Sequence, residues 1–372
     1  MDIRIIHTAD NHIGKKFNGR YSPSAQERLV NERFEALQRV VDAGNQRHAH
    51  FLVVAGDLFD TINVTIKDIK RTISILKTFQ GEEVLVLPGN HDFYEQGEKN
   101  LWNIFTDLAG DAITVLHQCK PVEYNIGEQK VVFYSGPCNS KHSAVNAIGW
   151  INDEKIDKSA LNIGIAHGNV DGLGLGGDKY FNMTPAELKS GLMDCWLLGH
   201  IHAPYPEKAS LTNPGFLFSA THTPDGFDNK RDGFCWFLEF GKNKNLKMEQ
   251  VITGAVKFYE WNKIINSVDD VENLCREIDV MTHGNSLLKL ILSGRISENE
   301  MKLTNDKLIA FNKLFLHFEC ENNLLLQIDK AFINSHYPDN SLPHQLLMEL
   351  AADEEDNLAL QLAHQIIEEA KV

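Results

Sequence analysis

The sequence predicts an α/β protein built as a two-sheet α/β/β/α sandwich, followed by a small α/β domain and a helical C-terminal segment. Two observations favour this fold class. Residues 1 to about 240 begin with short apolar runs and amphipathic stretches in β-α-β-α-β order, which is typical of a layered α/β core. The later apolar runs are closely spaced, which indicates that part of the sheet structure is antiparallel.

The first predicted elements follow from the spacing of apolar residues along the chain. They are a strand at 3–7, a helix opened by a capping box at 24–27, a buried strand at 51–55, a helix with Ile66, Ile69, Ile73 and Leu76 facing inward, and a buried strand at 84–87. Further strands are predicted at 113–117, 121–126, 130–135, 161–166, 194–198, 216–219 and 234–240, with a hairpin turn at 241–245.

The remainder of the chain has a different pattern. Beyond about residue 255 the sequence predicts a helix at 268–280, a strand at 287–292, a helix at 303–312 and a strand at 314–320. Residues 340–370 read as helix, which we interpret as packing on its own protein, with docking to a partner as the alternative. The predicted domains are therefore 1–250, 255–335 and a helical segment at 336–372.

Composition limits the cellular setting and the partners. None of the six cysteines forms a C-x-x-C pair, which argues against a zinc ribbon and for a reducing compartment. The first strand starts near the N-terminus, and no apolar run reaches the length of a membrane span, so we expect a cytoplasmic protein. The net charge of −15 disfavours nucleic-acid binding without excluding it, because the acidity is concentrated in clusters such as 353–356.

Five short polar islands carry the chemistry, and each follows an apolar run. They are Asp10-Asn11-His12, Gly56-Asp57-Leu58-Phe59-Asp60, Gly89-Asn90-His91-Asp92, His167-Gly168 and Gly199-His200-Ile201-His202. Residues two apart on extended chain face the same side, so Asp10 with His12, and His200 with His202, can each point toward one site. The donors that we expect to bind metal are Asp10, His12, Asp57, Asn90, His167, His200 and His202.

This donor set predicts a two-metal site. Carboxylate oxygens combined with imidazole nitrogens suit Mn²⁺, Fe²⁺ or Zn²⁺ better than Ca²⁺. Seven donors with Asp57 as a bridge make two four-ligand sites, which leave room for water and substrate. Two such ions can promote attack of an activated water on phosphorus. His91 is placed to assist the leaving oxygen, and Asp60 to orient His91.

Other polar segments have weaker signals. Lys15, Lys16 and Arg20 follow the first island and are the best candidates for substrate phosphate contacts, although solvated lysines are the default interpretation. Residues 172–179 are rich in glycine but do not match a P-loop. We interpret them as a flexible loop, with a substrate-facing lid as the alternative.

The five islands in this order resemble those of the calcineurin-like metallophosphoesterase superfamily over residues 1 to about 240. His7-Thr8-Ala9-Asp10-Asn11-His12-Ile13-Gly14 and Gly56-Asp57-Leu58-Phe59-Asp60 are most similar to the SbcD-type DNA repair nucleases. This resemblance implies a catalytic domain at 1–250, a capping domain at 255–335, and exonuclease and endonuclease activity on DNA. It also implies an SbcC-like coiled-coil ATPase partner, a homodimer, and manganese as the metal.

The resemblance further implies a division of the ligands. One ion would be held by Asp10, His12, Asp57 and His202, and the other by Asp57, Asn90, His167 and His200. His91 would stabilise the transition state. Two alternatives to a DNA nuclease stay open at this point: a phosphodiesterase or phosphatase acting on small molecules or cyclic nucleotides, and a non-enzymatic scaffold. The extra domain after residue 255 favours a large substrate, and the full ligand set disfavours a scaffold.

Overall fold

The computed structural model describes residues 2–98, 100–173, 179–210, 212–229, 231–281, 283–352 and 357–370. It divides into two compact units, Met1–Phe258 and Tyr259–Val372. The acidic cluster at 353–356 and the centre of the glycine-rich segment, at 174–178, lie outside the described residues. The helical segment that the sequence separates at residue 336 belongs to the second unit, and the predicted domain boundaries stay a prediction.

The first unit contains two mixed sheets. Its strands are β1 (Ile3–Thr8), β2 (Phe51–Ala55), β3 (Glu83–Leu87), β4 (Thr114–Val115), β5 (Pro121–Ile126), β6 (Gln129–Gly136), β7 (Leu161–His167), β8 (Cys195–Gly199), β9 (Phe216–Phe218), β10 (Phe234–Phe240) and β11 (Leu246–Ile252). The six-stranded sheet has the order β11-β10-β1-β2-β3-β4, and the five-stranded sheet has the order β5-β6-β7-β8-β9. Strands β1 to β4 are parallel, as are β6 to β9, whereas β5 and β10 run antiparallel to their neighbours.

Helices cover the outer faces of these sheets. They are α1 (Pro23–Gln46), α2 (Ile66–Leu76), α3 (Leu101–Ala109) and the short α4 (Pro185–Leu188). Phe51 and Val53 of one sheet pack with Phe133 and Ile163 of the other, so the main core lies between the sheets. Apolar side chains of α1, α2 and α3 pack on the far side of the first sheet, and Leu188 of α4 packs on the far side of the second. The predicted two-sheet sandwich with flanking helices is confirmed.

Two local predictions in this unit differ from the structure. The N-cap of α1 is Ser22 rather than Ser24, because Pro23 occupies the first helical turn, where its missing N–H costs nothing. Ile66, expected to face inward, is 47% exposed because it lies in the first turn of α2, next to the Thr65 cap. The inward positions Ile69, Ile73 and Leu76 are buried as predicted.

The second unit contains a three-stranded sheet and five helices among the residues described for it. The strands are β12 (Lys257–Ile264), whose first two residues precede the unit boundary, β13 (Ser286–Ile296) and β14 (His317–Leu326). The helices are α5 (Val268–Asp279), α6 (Glu298–Phe311), α7 (Lys330–His336), α8 (Leu342–Leu350) and α9 (Asn357–Glu369). Helices α5 and α6 pack on one face of the sheet, and α7 to α9 share a small core around Ile333 and Leu347. Within the described ranges, no helix is long and apolar enough to cross a membrane.

Candidate metal centre

The five polar islands lie at the carboxyl ends of parallel strands. The first three follow β1, β2 and β3 of the six-stranded sheet, and the other two follow β7 and β8 of the five-stranded sheet. Carboxyl ends of parallel strands are where open α/β sheets place their ligands. Two sheets packed face to face therefore bring donors more than a hundred residues apart to one edge of the sandwich.

Left-handed backbone conformations turn these donors toward one another. Asp10, His12, Asp57 and His200 all have positive φ, at 52°, 45°, 52° and 103°. Such conformations cost about 1–3 kcal/mol each in residues other than glycine and persist only where the surroundings impose them. Here the N–H groups of Asp10 and His12 donate to the carbonyls of Gly56 and Asp57, so the first two islands fix each other.

One group of donors combines Asp10, His12 and His202. The Nε2 atoms of the two histidines lie 3.2 Å apart, and His202 Nε2 lies 3.9 Å from Asp10 Oδ1. The Asp10 carboxylate also accepts the His200 N–H, at 3.0 Å to Oδ1 and 3.1 Å to Oδ2. The side chain of His202 is 41% exposed, whereas Asp10 and His12 are buried. This group therefore has one accessible side, toward solvent.

A second group combines Asp57, Asn90, His167 and His200. Asn90 Oδ1 lies 3.0 Å from His167 Nε2 and 2.9 Å from His200 Nδ1. Asp57 Oδ2 lies 3.3 Å from His167 Nε2 and 3.8 Å from His12 Nε2, so this single oxygen faces both groups. The seven predicted ligands are brought together, in an arrangement compatible with Asp57 as the bridge. Their assignment as ligands stays a prediction.

The ring nitrogens fit a divalent cation. His167 Nδ1 donates to the carbonyl of Ala55 at 2.9 Å, and His12 Nδ1 faces the Asp60 carboxylate at 3.4 Å. In each ring the opposite nitrogen, Nε2, is left facing the carboxylate cluster. Metal-binding histidines are typically oriented in this way, with one nitrogen held by an oxygen acceptor and the other presented to the ion. The fully buried Asp10 and Asp57 also need a positive charge beside them.

The surroundings shift the pKa values of the two buried carboxylates, Asp10 and Asp57, in opposite directions. Burial raises the pKa of Asp10 to about 7, with the charge of His167 acting in the opposite direction. Burial would also raise the pKa of Asp57, but His167 and His12 outweigh it and hold that pKa well below its usual range. Burial alone would lower the pKa of His167, yet Asp57 raises it to about 9. Asp57 is therefore the permanent anion of the cluster.

We expect Mn²⁺ binding to release protons and to strengthen as the pH rises from about 6 to 9. His167, with a pKa of about 9, and Asp10, with a pKa of about 7, must be deprotonated to act as ligands. For each proton displaced, the dissociation constant should fall by up to about tenfold per pH unit. Calorimetry in buffers of different protonation enthalpy measures the protons released. An affinity that does not change with pH would contradict this expectation.

His91 and Asp60 are in contact, but through different atoms than predicted. His91 Nδ1 lies 3.0 Å from the main-chain carbonyl oxygen of Asp60, which can only accept, so this nitrogen carries the proton. The Asp60 carboxylate instead faces His12 Nδ1. The reason is that the N–H of Asp60 donates to the carbonyl of Ile13, which holds this loop beside the first island. Asp60 therefore orients two histidines, one with its backbone and one with its side chain.

Asp92 is a buried residue of the third island to which the sequence analysis assigned no role. Its carboxylate accepts the N–H of Gly89 at 2.7 Å and the N–H of Phe59 at 2.9 Å. It thereby ties the loop of Asn90 to the loop of Asp57. Burial, followed by the charge of Asp57, raises the pKa of Asp92 to about 8. The signal in the sequence was its position within the Gly89–Asp92 island, directly after the predicted ligand and His91.

Replacing Gly89 with alanine is expected to abolish metal binding. A Cβ at this position would lie 2.2 Å from Asp57 Oδ1 and 2.3 Å from the Asp57 backbone nitrogen, so the central carboxylate would have to move. Overpacking of this kind typically costs about 1–3 kcal/mol. Mn²⁺ stoichiometry and thermal unfolding measure the two effects. Gly149→Ala is the matched control, because a Cβ there meets nothing within 4 Å. Two bound ions in Gly89→Ala would contradict the prediction.

The three predicted phosphate-contacting residues differ in their surroundings. Lys15 Nζ lies 2.5 Å from Asp225 Oδ2, so its charge is already paired. Lys16 is exposed. Arg20 is also exposed, with its guanidinium 4.8 Å from the centroid of the Phe227 ring. Lys16 and Arg20 are therefore more accessible to a bound phosphate backbone than the half-buried Lys15.

Two further charged residues near the site were missed from the sequence. Arg33 is a buried cation on α1, and Asp225, whose side chain is 8% exposed, is its counter-ion, with 3.0 Å between Arg33 Nη2 and Asp225 Oδ2. The available signal was a charged residue beside Phe34 within the apolar face of a helix, where a charge is unusual. Asp225 lies in a loop with no comparable signal.

Comparison with protein-family models identifies a match over residues 3–204, to the family described as calcineurin-like phosphoesterase. The matched segment contains all five islands and extends from β1 to beyond His202. The match covers more than half of the chain.

Individual relatives are more distant. A subunit of the SbcCD nuclease from Staphylococcus saprophyticus is 26% identical over an alignment of 254 residues, and the match covers 60% of this chain and 64% of the relative. The uncharacterized metallophosphoesterase YhaO of Bacillus subtilis is 26% identical over an alignment of 212 residues, and the match covers 54% of this chain and 49% of the relative. The matches thus span less than two thirds of either relative. A purple acid phosphatase, PPD1 from yellow lupin seeds, has a TM-score of 0.40 and 11% identity, covering 68% of this chain and 52% of that one.

Proposed function

The chain belongs to the calcineurin-like phosphoesterase family, and from that premise we propose that it is a two-metal-dependent phosphodiester hydrolase acting on DNA. The observation that supports the metal dependence is the convergence of six other donors around one buried carboxylate, that of Asp57. DNA as the substrate is supported by the similarity to a relative named as part of a nuclease. This proposal includes both exonuclease and endonuclease cleavage, as expected for an SbcD-type enzyme.

We assign the ligands to two neighbouring sites. The first site comprises Asp10, His12, Asp57 and His202, and the second comprises Asp57, Asn90, His167 and His200. When bound, two divalent ions would activate water and neutralise phosphate charge, with Mn²⁺ as the proposed metal and Fe²⁺ or Zn²⁺ as alternatives. The chain supplies the rigid frame for this chemistry, because backbone hydrogen bonds between the first two islands fix its donors.

His91 is the proposed general acid. Its main-chain N–H donates to Asp57 Oδ1 at 2.8 Å, and its ring Nδ1–H donates to the main-chain carbonyl of Asp60. A second proton, on Nε2, would be the one given to the leaving oxygen of the cleaved ester. The ring is partly exposed and its centroid lies 4.8 Å from that of His12, so His91 stands next to the first site.

The second unit supplies a surface for the proposed partner. Leu342 and Leu346 of α8 are 78% and 41% exposed, and Leu358, Leu362 and Ile366 of α9 are 68%, 50% and 63% exposed. In each helix these residues recur every four positions, so they form apolar stripes of the kind that bind another helix. We assign these stripes to an SbcC-like coiled-coil ATPase. A homodimer and a cytoplasmic location stay predictions from the sequence.

Replacing both Lys16 and Arg20 with alanine is expected to weaken DNA binding and to reduce its salt dependence. If each cation neutralises one phosphate, the slope of log K against log salt concentration should become shallower by about 2. Fluorescence anisotropy with labelled duplex DNA at several salt concentrations measures this slope. The double variant Lys77→Ala with Lys247→Ala is the matched control, because both lysines are exposed and the net charge change is equal. An unchanged slope in the Lys16 and Arg20 variant would contradict the assignment.

One experiment separates DNA from small phosphodiesters as the substrate. The full chain with Mn²⁺ is incubated with linear duplex DNA, single-stranded DNA and bis-p-nitrophenyl phosphate, and all three are assayed under the same conditions. We expect cleavage of DNA together with the small ester. Hydrolysis of the small ester with both DNAs left intact would overturn the nuclease assignment and support a small-molecule phosphodiesterase. Failure to cleave any of the three would contradict the hydrolase itself.

A further inference from the structure

An ion-pair network centred on the buried Arg33 lies next to the first metal site. Arg33 of α1 is 1% exposed, and its Nη1 donates to the carbonyl oxygen of Asn11 at 2.7 Å. Its Nη2 lies 3.0 Å from Asp225 Oδ2, and the same oxygen lies 2.5 Å from Lys15 Nζ. Asp225 thus holds two cations, one on α1 and one just beyond the first island.

The contact to Asn11 lies at a strained part of the backbone. Asn11 stands between Asp10 and His12, both of which have left-handed conformations. The N–H groups of Asp10, His12 and Ile13 are fixed by carbonyls of the second island. The carbonyl of Asn11 is fixed by Arg33 instead. A strained turn needs anchors on both sides to keep one conformation, and Arg33 supplies the anchor that the second island does not.

The segment that carries Asp225 is also bonded to the main chain beside the first island and to that of Arg33 on α1. Thr221 pairs with Ala9 in an isolated β-bridge, and His222 Nε2 donates to the carbonyl of Arg33 at 2.8 Å. His222 is therefore a structural residue of this segment. Burial would raise the pKa of Asp225, but Arg33 and then Lys15 hold it well below its usual range, so the carboxylate stays charged.

We propose that Arg33 and Asp225 are positioning residues for the first metal site. They hold the turn that aims Asp10 and His12, whereas the second site has further anchors that do not involve this network. Its His167 is fixed by the carbonyl of Ala55, and its Asn90 loop by Asp92. The inference rests on the proposed two-metal function. Its specific consequence is asymmetry, because loss of the network should weaken one ion and spare the other.

The test measures Mn²⁺ binding directly, by equilibrium dialysis and by electron paramagnetic resonance of the full chain. The wild type should bind two ions with the spectrum of a coupled pair. In Asp225→Asn we expect one ion at wild-type affinity and the other weakened about ten- to hundredfold, as is typical when a residue orienting a ligand is lost. Its remaining mononuclear signal should match that of His202→Ala, in which a ligand of the first site is removed.

Because Asp225→Asn leaves Arg33 buried without a counter-ion, a second variant separates folding from positioning. The double variant Arg33→Met with Asp225→Asn removes both charges, which is often tolerated far better than removing one. Its thermal unfolding temperature should rise above that of Asp225→Asn, while the first ion stays weakened because the bond to Asn11 is absent. Stability and metal affinity should therefore change independently.

Glu32→Gln is the matched control on the same helix. Glu32 is also 1% exposed and charged, but its main partners are Arg28, Arg39 and the N–H of Ala255 rather than the turn at Asn11. We expect lower stability with two ions at wild-type affinity. Equal loss of both ions in Asp225→Asn, or two fully bound ions in the double variant, would overturn the inference. A wild type that binds no Mn²⁺ would instead remove its premise, the two-metal function.

Discussion

Replacing His91 with alanine should lower turnover by about a hundred- to ten-thousandfold while both metal ions stay bound. The ring is the group that we propose to protonate the leaving oxygen, and removing a general acid has an effect of this size. The main-chain N–H that donates to Asp57 Oδ1 is kept in alanine, so the central carboxylate should keep its position. Turnover of bis-p-nitrophenyl phosphate and Mn²⁺ stoichiometry are measured on the same preparation.

His117→Ala is the matched control for this substitution. His117 is also partly exposed, and its ring stacks on Tyr94, with centroids 4.6 Å apart, rather than on any of the seven proposed ligands. We expect nearly unchanged turnover in this variant. Loss of metal together with activity in His91→Ala would show that the ring is structural. Turnover close to that of the wild type would remove His91 from the mechanism.

The fold was predictable where burial alone determines the pattern of residues. Strands such as β2 are apolar at every position because helices cover one face and the second sheet covers the other. The bounds of α1 were less accurate, because a second serine two residues beyond the true cap gave an equally good capping pattern. Helix α3 was missed, since its start depends on the Asn100 side chain accepting the Asn103 N–H rather than on a strong periodic signal.

The candidate site was predictable for a different reason. Its donors follow apolar strands and glycine-containing turns, and both are visible in the sequence without knowledge of the packing. At Gly89 the glycine reflects close approach, because any side chain there would meet Asp57. The proposed ligands could be selected from these local signals alone, although the sequence gives no distance between them.

What escaped prediction depends on contacts between distant segments. Asp225 meets Lys15 across 210 positions of the chain, and Arg33 reaches Asn11 from a helix whose pattern only indicates which face is buried. Asp60 was expected to hold His91 with its carboxylate. His91 instead contacts the main-chain carbonyl of Asp60, because the hydrogen bond from the Asp60 N–H to Ile13 fixes the orientation of this loop. The spacing of residues in the sequence does not reveal that hydrogen bond. The candidate donors could therefore be predicted from the sequence, whereas the hydrogen bonds and ion pairs that orient them could not.

Replacing Asp57 with asparagine is expected to remove both metal ions and to lower turnover by at least about a thousandfold. Asp57 Oδ2 faces His167 at 3.3 Å and His12 at 3.8 Å, so one oxygen serves both proposed sites. Bound ions contribute several kcal/mol of transition-state stabilisation, and about 4 kcal/mol corresponds to a thousandfold in rate. Asp194→Asn is the control, because that carboxylate accepts the Asn162 N–H and pairs with Lys244 instead.

The contrast between Asp57 and Asp10 makes this prediction specific, because Asp10 has oxygen atoms within reach of both donor groups as well. The pKa values of the two carboxylates are shifted in opposite directions. Burial raises the pKa of Asp10 to about 7, whereas His167 and His12 outweigh burial at Asp57 and keep it ionised. The permanent anion is the better bridge, so Asp10→Asn should lose the first ion only. If Asp10→Asn loses both ions and Asp57→Asn loses one, Asp10 is the bridging ligand and the assignment of the two sites must be exchanged.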